Sequence, residues 1–267
     1  MEEYSIKNYS FFGLPVSGCT FDLLENWILD SVQTNKRRTI YGYSLYAIYA
    51  LRKMPEIYTL GSKADLFLTD GRPFFWLCKI FKLPINAGIS IPQFVIETLR
   101  KANEKHFSVM LLGATKDIND KAYANLKIKY PNIVLLAGTD GYYKDDEEID
   151  IIKLINKNNP DILLVGMSSP KKERFVFKNK EVLSAKIVIP CGGMIDVLAG
   201  KTRMAPSWIK KMGLASVFRI IQEPGRLLFD RIKMLFFLFT DFFPLLCIKN
   251  ILNRKDFSIP EYYIKTN

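Results

Sequence analysis

The spacing of apolar residues predicts helices that alternate with short strands along most of the chain. Apolar side chains recur every three or four positions in the predicted helices, whereas the predicted strands are short continuous apolar runs. The helices are expected at 20–32, 44–54, 94–105, 117–129 and 147–158. The strands are expected at 39–43, 64–69, 107–113, 132–138, 162–165 and 187–189. This alternation predicts an α/β fold, with a Rossmann-like parallel sheet flanked by helices.

From Leu214 onward the pattern changes, and the change predicts a C-terminal appendage. One apolar helical stripe there consists of Leu214, Val217, Phe218 and Ile221. Pro224 interrupts or ends this helix. The stretch 227–252 is rich in Phe and Leu but broken by charges and a proline, which is typical of a segment lying in a membrane interface and not spanning it. We expect a core at 1–213 and a membrane-contacting helical appendage at 214–267.

Composition and charge narrow the class of protein. The chain has 267 residues, 49% hydrophobic and 24% charged, which is typical of a globular protein. Its formal net charge is +11, and residues 201–267 hold 12 Lys and Arg against 5 Asp and Glu. Such charge favours nucleic acid or an anionic membrane as a partner. Because the aromatic residues of the appendage interleave with leucines, we expect a membrane surface and no nucleic acid.

Metal, cofactor and disulfide chemistry have little support. The four cysteines are scattered and fit a reducing compartment, the single His106 excludes multi-histidine sites, and no G-x-G-x-x-G run occurs. The acidic run 145–148 is interpreted as the first turn of a helix, with a metal-binding carboxylate pair as the alternative. We therefore expect no metal and no cofactor. The first residues are acidic and show no signal peptide, so we expect a cytoplasmic location.

Two polar segments follow predicted strands at the end where α/β folds bind ligands. Asp70 follows the strand at 64–69 and is a candidate general base, the alternative being an Asp that opens a turn. Gly192 and Gly193 follow the strand at 187–189, where backbone N–H groups at a helix start suit a diphosphate. Asp196 would read ribose hydroxyls or a uracil N–H.

Two loops offer further candidates. In 138–142, a glycine allows close approach and Tyr142 offers a stacking ring, the alternative being a plain turn. In 168–174, Lys171 is a candidate for neutralising a diphosphate. Glu173 would orient a ligand hydroxyl, or else sit at the third position of a helix capped by a preceding serine.

Taken in order, these segments resemble the bacterial WecG/TagA/CpsF glycosyltransferases, from about Phe11 to Arg231. The matching runs are Asp161-Ile-Leu-Leu-Val-Gly166, Pro170-Lys171-Lys172-Glu173, Gly192-Gly193 with Asp196, and Arg219 with Glu223-Pro224-Gly225-Arg226. These enzymes move a sugar from a UDP donor onto a polyprenyl-diphosphate-linked sugar. The resemblance implies that Asp70 is the general base.

The resemblance also implies a binding set, in which the arginines close over the donor diphosphate. Its members are Gly42, Ser44, Gly113, Gly141, Tyr142, Pro170, Lys171, Glu173, Gly192, Gly193, Asp196, Arg219 and Arg226. Without the resemblance, the arginines would be ordinary helix-surface residues. The chain departs from the family at three places: the family Thr-x-Asn falls on Gly42 and Ser44, its Gln on Lys172, and its Arg-Ala-Pro is interrupted by Met204.

We therefore predict an inverting, metal-independent hexosyltransferase for cell-surface polysaccharide synthesis, peripheral at the cytoplasmic face of the bacterial membrane. Its partners would be a UDP-sugar donor, a polyprenyl-diphosphate-linked acceptor and the membrane surface. The sequence leaves the oligomeric state, monomer or homo-oligomer, undecided. The alternative is a non-catalytic basic module that binds anionic lipid or nucleic acid.

Overall fold

A six-stranded parallel sheet forms the centre of the protein, in a computed structural model that describes residues 6–11, 14–244 and 247. The strands are β1 (Lys7–Phe11), β2 (Leu14–Gly18), β3 (Arg38–Tyr43), β4 (Leu66–Thr69), β5 (Ser108–Gly113), β6 (Val134–Leu135), β7 (Ile162–Gly166) and β8 (Ile187–Pro190). The order across the sheet is β4-β3-β8-β7-β5-β6, with every pair parallel. Strands β1 and β2 form a separate antiparallel hairpin.

Helices connect the strands and continue after the last one. They are α1 (Phe21–Gln33), α2 (Leu45–Lys53), α3 (Pro55–Gly61), α4 (Arg72–Ile80), α5 (Ile91–Lys105), α6 (Lys116–Lys129), α7 (Glu148–Asn158), α8 (Lys171–Lys178), α9 (Met194–Leu198), α10 (Ser207–Lys211), α11 (Ala215–Gln222) and α12 (Pro224–Phe237). A 3-10 turn at Asp145–Glu147 precedes α7, and a π-helical turn at Leu238–Phe242 follows α12. The predicted α/β fold with a parallel sheet is confirmed.

Helices cover both faces of the sheet. Successive strand residues point to opposite faces, so neighbouring residues of one strand belong to different buried clusters. Leu163 and Val165 of β7 belong to one buried cluster, together with residues from α2, α3, α7, α8 and α12. Leu164 belongs to the other cluster, with residues from α1, α5, α6 and α9. The strands therefore read as continuous apolar runs instead of alternating ones.

Several helices and strands differ in their bounds from those predicted from the sequence. Thr20 caps α1 by accepting from the Leu23 N–H at 3.3 Å, so the helix expected at 20–32 is observed at Phe21–Gln33. Pro55 ends α2 but also begins α3, since proline suits the first turn of a helix. The strand predicted at 132–138 is only Val134–Leu135, at the edge of the sheet. The β1–β2 hairpin and α4 were not predicted.

Helix α12 belongs partly to the core. Met234, Phe237 and Phe242 are buried, and the ring of Phe237 lies 5.7 Å from that of Tyr49 on α2. Their neighbours Phe236 and Phe239 point outward, 69% and 70% exposed. The division at residue 213 and the membrane contact stay predictions, and most of the stretch beyond Pro244 lies outside the described residues. Among the helices that the structure describes, none is long and apolar enough to cross a membrane.

Two aspartates close the amino ends of the strands. Asp161, just before β7, accepts from the N–H and hydroxyl of Ser108 at 2.7 and 2.9 Å and from Lys186 at 2.7 Å. Asp65, just before β4, accepts from the N–H of Thr39 at 2.7 Å and from Lys180 at 2.9 Å. At this edge of the sheet each carboxylate is bonded to a neighbouring strand and to a lysine.

Candidate active site

The opposite edge of the sheet gathers most of the predicted site residues. Parallel strands bring their carboxyl ends together, so loops that are far apart in sequence meet there. Asp70 follows β4, Gly113 ends β5, Gly166 ends β7 and Gly192 follows shortly after β8. The strand register places all four of these residues at the same edge of the sheet.

Asp70 is held by two backbone contacts. Its N–H donates to the Tyr43 carbonyl at 2.7 Å, and its Oδ1 accepts from the Ile91 N–H at 3.0 Å, at the start of α5. The structure gives its Oδ2 no hydrogen bond to any described residue. One carboxylate oxygen is therefore positioned by a helix start, and the other is left to take a proton.

The charge state of Asp70 is set by opposing effects. Burial raises the pKa of this carboxyl above its ordinary 3.8, whereas the Ile91 N–H and the charges of Lys172, Arg231 and Arg219 act to lower it. A general base works best when its pKa approaches the working pH while it remains ionised. The rise moves the Asp70 pKa in the direction that suits a general base, while the nearby cations favour the ionised form of the carboxyl.

Gly42 and Ser44 flank this carboxylate from the end of β3. A Cβ at Gly42 would lie 2.6 Å from Ile91 Cγ1 and 3.1 Å from the Asp70 Cβ, so the glycine lets the start of α5 approach β3. The Ser44 hydroxyl accepts from the Ala47 N–H at 3.1 Å and so caps α2. Its proton is still free to be donated, and the substrate contacts predicted for both residues stay predictions.

The glycines at positions 113 and 141 come into contact. Gly113 has a φ of +139° and lies so close to the Gly166 backbone that a Cβ would come within 2.5 Å of its carbonyl group. A Cβ at Gly141 would lie 3.1 Å from the Gly113 Cα. The next residue, Tyr142, is 78% exposed. Its ring is thus presented outward beside a glycine-lined surface, as stacking on a base would require.

Lys171 supports this loop from α8. Its Nζ donates to the carbonyls of Gly141 and Tyr143 at 3.0 and 2.9 Å and lies 3.7 Å from the Tyr143 ring centroid. All three contacts are to residues 141–143. In this conformation Lys171 fixes the loop that presents Tyr142, and its predicted contact with a diphosphate stays a prediction.

Glu173 occupies the third position of α8, as the alternative from the sequence predicted, but the predicted serine cap is not formed. Helix α8 follows Pro170 and has no side-chain cap, and the Ser169 hydroxyl donates instead to Glu173 Oε1 at 2.8 Å. The Lys172 ammonium bonds the same oxygen. Glu173 is only 3% exposed, and its Oε2 is buried with no described partner. One acceptor oxygen therefore remains unused beside the site.

Lys172 was interpreted from the sequence only as the loss of a family glutamine. The structure adds that its ammonium bonds Ser169 and Glu173 while its charge acts on Asp70. The signal in the sequence was its place in the Pro170–Glu173 run. Its effect on a carboxylate about a hundred residues earlier depends on the fold.

The glycine loop after β8 holds an arginine. Gly192 has a φ of +55°, and the Arg219 guanidinium donates to the Gly193 carbonyl at 3.2 Å and pairs with Glu223 at 3.3 Å. A Cβ at Gly193 would lie 2.1 Å from Arg219 Nη2, so only glycine admits the guanidinium here. The structure thus places Arg219 beside the predicted diphosphate loop.

The structure describes the side chain of Asp196 but not that of Arg226. Asp196 is 8% exposed, and its Oδ1 accepts from the Lys201 ammonium at 3.0 Å, so an ion pair holds it near the glycine loop. Arg226 lies on α12, but its side chain is outside the described residues. The role predicted for each stays a prediction.

Arg231 was not among the site residues predicted from the sequence. It lies on α12, and its guanidinium carbon is 4.3 Å from the centroid of the Tyr46 ring on α2. Its charge acts on Asp70. In the described part of the chain, no group of three or more His, Cys, Asp or Glu side chains is arranged to hold a metal ion.

Comparison with known proteins identifies the family of the chain. The profile of the Glycosyl transferase WecG/TagA/CpsF family matches residues 9–254. An N-acetylglucosaminyldiphosphoundecaprenol N-acetyl-beta-D-mannosaminyltransferase of Bacillus subtilis (strain 168) is 28% identical over 178 residues, 67% of this chain and 69% of that protein. The enzyme of the same name from Staphylococcus aureus (strain MRSA252) is 29% identical over 166 residues, 62% of this chain and 65% of that protein. The matched segment thus spans about two thirds of each relative.

Proposed function

The chain belongs to the WecG/TagA/CpsF glycosyltransferase family, and from that premise we propose that it moves a sugar from a UDP donor onto a polyprenyl-diphosphate-linked sugar. Family membership decides against the non-catalytic module considered from the sequence. The observation that carries the proposal is Asp70, a partly buried carboxylate just after a strand, with one oxygen held by the Ile91 N–H of α5 and cations around it. The relatives' names describe an acceptor with a lipid-linked diphosphate and an N-acetylmannosaminyl transfer.

In the proposed reaction Asp70 acts on the acceptor. Its Oδ2 takes the proton of the acceptor hydroxyl while that oxygen attacks the anomeric carbon of the donor and UDP leaves with the electrons of the broken bond. A single displacement inverts the anomeric configuration. The negative charge on the departing UDP is neutralised by Arg219, by Arg226 and by backbone N–H groups of the Gly192–Gly193 loop.

The donor's nucleotide is proposed to lie over the glycine-lined surface of β5 and β7. Gly113 and Gly141 leave room for it, Tyr142 stacks on the base, and Asp196 accepts from the ribose or the uracil. Lys171 contributes by fixing the 141–143 loop. Glu173 Oε2, buried and unpartnered among the described residues, offers an acceptor to a substrate hydroxyl.

A panel of UDP-sugars against a polyprenyl-diphosphate-linked N-acetylglucosamine acceptor tests the transfer. The panel includes UDP-N-acetylmannosamine, because the relatives' names specify that sugar. We expect UDP release and an extended lipid-linked product with one donor, and neither with the Asp70→Asn variant. A full panel without product, although UDP raises the melting temperature, would contradict the proposed acceptor class.

We also propose that the appendage binds the membrane surface. Outward-facing apolar side chains on α11, α12 and the following turn support this: Ile221, Phe229, Ile232, Phe236 and Phe239 are 53% to 73% exposed. Their neighbours Phe237 and Phe242 are buried and belong to the core. Exposed aromatic residues on a basic segment suit anchoring to anionic lipid. The basic residues Lys249, Arg254 and Lys255 further along this segment lie outside the described residues.

Vesicle sedimentation tests the membrane contact. Full-length protein should sediment with anionic vesicles at low salt and less as salt rises, because part of the attraction is screened. The Phe236→Ser, Phe239→Ser double variant should stay in the supernatant, whereas Ile128→Ser, an equally exposed apolar side chain on α6, should behave as wild type. If the double variant instead changes the oligomeric state in sedimentation equilibrium, the surface contacts another copy of the chain.

A further inference from the structure

Arg231 is a largely buried cation with no ionic partner in the described part of the chain. Its guanidinium lies against the Tyr46 ring, 4.3 Å from the centroid, and its Nη1 donates to the thioether of Met234 at 3.8 Å. Burial lowers the pKa of this guanidinium, which the charges of Tyr46 and Asp70 act to raise. A cation removed from water is costly unless an anion compensates it. The position is therefore suited to an anion that arrives with a substrate.

The surroundings of Arg231 place that anion near the general base. Tyr46 lies in the first turn of α2, three residues after Tyr43, whose carbonyl accepts the Asp70 N–H at 2.7 Å. Arg219, in contrast, lies on Gly193 after β8, and β3 separates β8 from the β4 strand that carries Asp70. The two guanidinium groups are therefore held by different elements of the same edge, although the charge of Arg219 also acts on Arg231 and on Asp70.

Helix α12 also connects Arg231 to an apolar surface. Phe229 and Ile232, on either side of Arg231 in sequence, are 72% and 53% exposed, and Phe236 follows one turn later at 69%. The helix thus offers a cation toward the site and apolar side chains toward the outside. A lipid-linked acceptor carries a hydroxyl, a diphosphate and a hydrocarbon chain in that order.

We propose that Arg231 binds the diphosphate of the polyprenyl-linked acceptor, while Arg219 serves the diphosphate of the donor. This inference rests on the proposed function. The acceptor hydroxyl lies at Asp70, its diphosphate meets the Arg231 guanidinium, and its hydrocarbon chain leaves along the outer face of α12. Tyr46 holds the guanidinium in place by a cation–π contact, so Arg231 is oriented before the acceptor arrives.

Steady-state kinetics with a short-chain, water-soluble polyprenyl-diphosphate acceptor test the assignment on full-length protein. In Arg231→Met we expect the acceptor KM to rise roughly 10-fold to 100-fold, as for loss of a charge-assisted hydrogen bond, with the donor KM within about twofold of wild type. The acceptor KM of Arg231→Lys should fall between that of wild type and that of Arg231→Met. Arg219→Met should raise the donor KM instead. Lys233→Met, which removes an exposed cation of the same helix, should resemble wild type.

Two outcomes would overturn the assignment: an unchanged acceptor KM in Arg231→Met, or a donor KM that rises as much as the acceptor KM. Arg231→Gln replaces the Met variant if the latter has lost its far-ultraviolet circular dichroism. Should the wild type make no product, the transfer proposal fails, and calorimetric titration with a short-chain polyprenyl diphosphate lacking the sugar decides the role of Arg231. Weaker binding of the polyprenyl diphosphate by the variant than by wild type supports the role of Arg231. Equal binding by both proteins, or no binding by wild type, contradicts that role.

Discussion

The two edges of the parallel sheet treat their charged residues in opposite ways. At the amino edge, Asp161 is bonded to Ser108 and Lys186, and Asp65 to Thr39 and Lys180. At the carboxyl edge, Asp70 has one oxygen without a described partner, as does Glu173, and Arg231 has no ionic partner among the described residues. Buried polar groups are ordinarily satisfied, so the open groups at one edge indicate where a substrate completes the bonding.

The contrast extends to pKa values. Burial would raise the pKa of the Asp161 carboxyl, but Lys186 and Ser108 bring it below its ordinary 3.8. At Asp70 burial prevails, and its pKa lies above that value in spite of three nearby cations. The amino edge thus stabilises the ionised form of Asp161, whereas the carboxyl edge disfavours the ionised form of Asp70 relative to a carboxyl in water.

The largest effect is expected from Asp70, which shares β4 with a matched control. Asp70→Asn should lower turnover by roughly 100-fold or more, as loss of a general base does, while UDP binding stays close to wild type. Asp65→Asn, at the other end of the same strand, should keep its turnover. Steady-state kinetics and UDP titration of both variants measure this. Near-normal turnover in Asp70→Asn would make Asp70 only a turn residue.

At the amino edge the expected effect is on stability and not on catalysis. Asp161→Ala leaves the Lys186 ammonium and the Ser108 N–H without their acceptor, at a cost of about 2 kcal/mol in the free energy of unfolding. Because the pKa of Asp161 is lowered in the folded protein, its stabilisation is present above the ordinary 3.8 and is lost as the pH falls further.

Urea unfolding at two pH values measures the effect of Asp161→Ala. The difference from wild type should be full at pH 7 and shrink in acid, with kcat unchanged at 25 °C. A variant as stable as wild type, or one with a large loss of turnover, would remove the distinction between the two edges.

The sequence was informative about strand ends because parallel strands leave a local pattern. The apolar runs before Asp70, Gly113 and Gly192 and the small or charged residues after them place these positions at one edge without further information. The same logic failed at β6, where only Val134–Leu135 pairs and the apolar run continues as loop. It also missed α4, in which Gly71, at a φ of +98°, precedes a helix that begins beside a proline.

The charges around Asp70 had no such local signal. Lys172, Arg219 and Arg231 come from three different helices, and their approach depends on how α8, α11 and α12 pack. Arg231 in particular reaches the site only because Met234 and Phe237 bury α12 against the core. The composition of 227–252 indicated a segment at a membrane interface but not which of its residues pack against the protein.

A smaller effect is expected on the dependence of kcat/KM on pH. Because the Asp70 pKa is raised by burial, the acidic limb of kcat/KM should lie above pH 3.8, where protonation removes the base. Lys172→Gln removes a cation that favours the carboxylate, so the acidic limb should move to higher pH. Lys178→Gln, at the far end of α8, is the control. A limb that does not move would mean that Lys172 acts only on Glu173.

The smallest effect is expected from removing divalent cations, which tests whether side chains alone neutralise the carboxyl edge. Activity should persist in a chelator, since Arg219 and Arg231 already supply positive charge there. In the acidic run 145–148, Glu147 accepts from the Lys144 N–H at 2.6 Å and Glu148 accepts from the Asn179 side chain at 2.8 Å. Full loss of activity in the chelator, restored by Mg²⁺ or Mn²⁺, would contradict this and place a metal between the acidic run and the diphosphate.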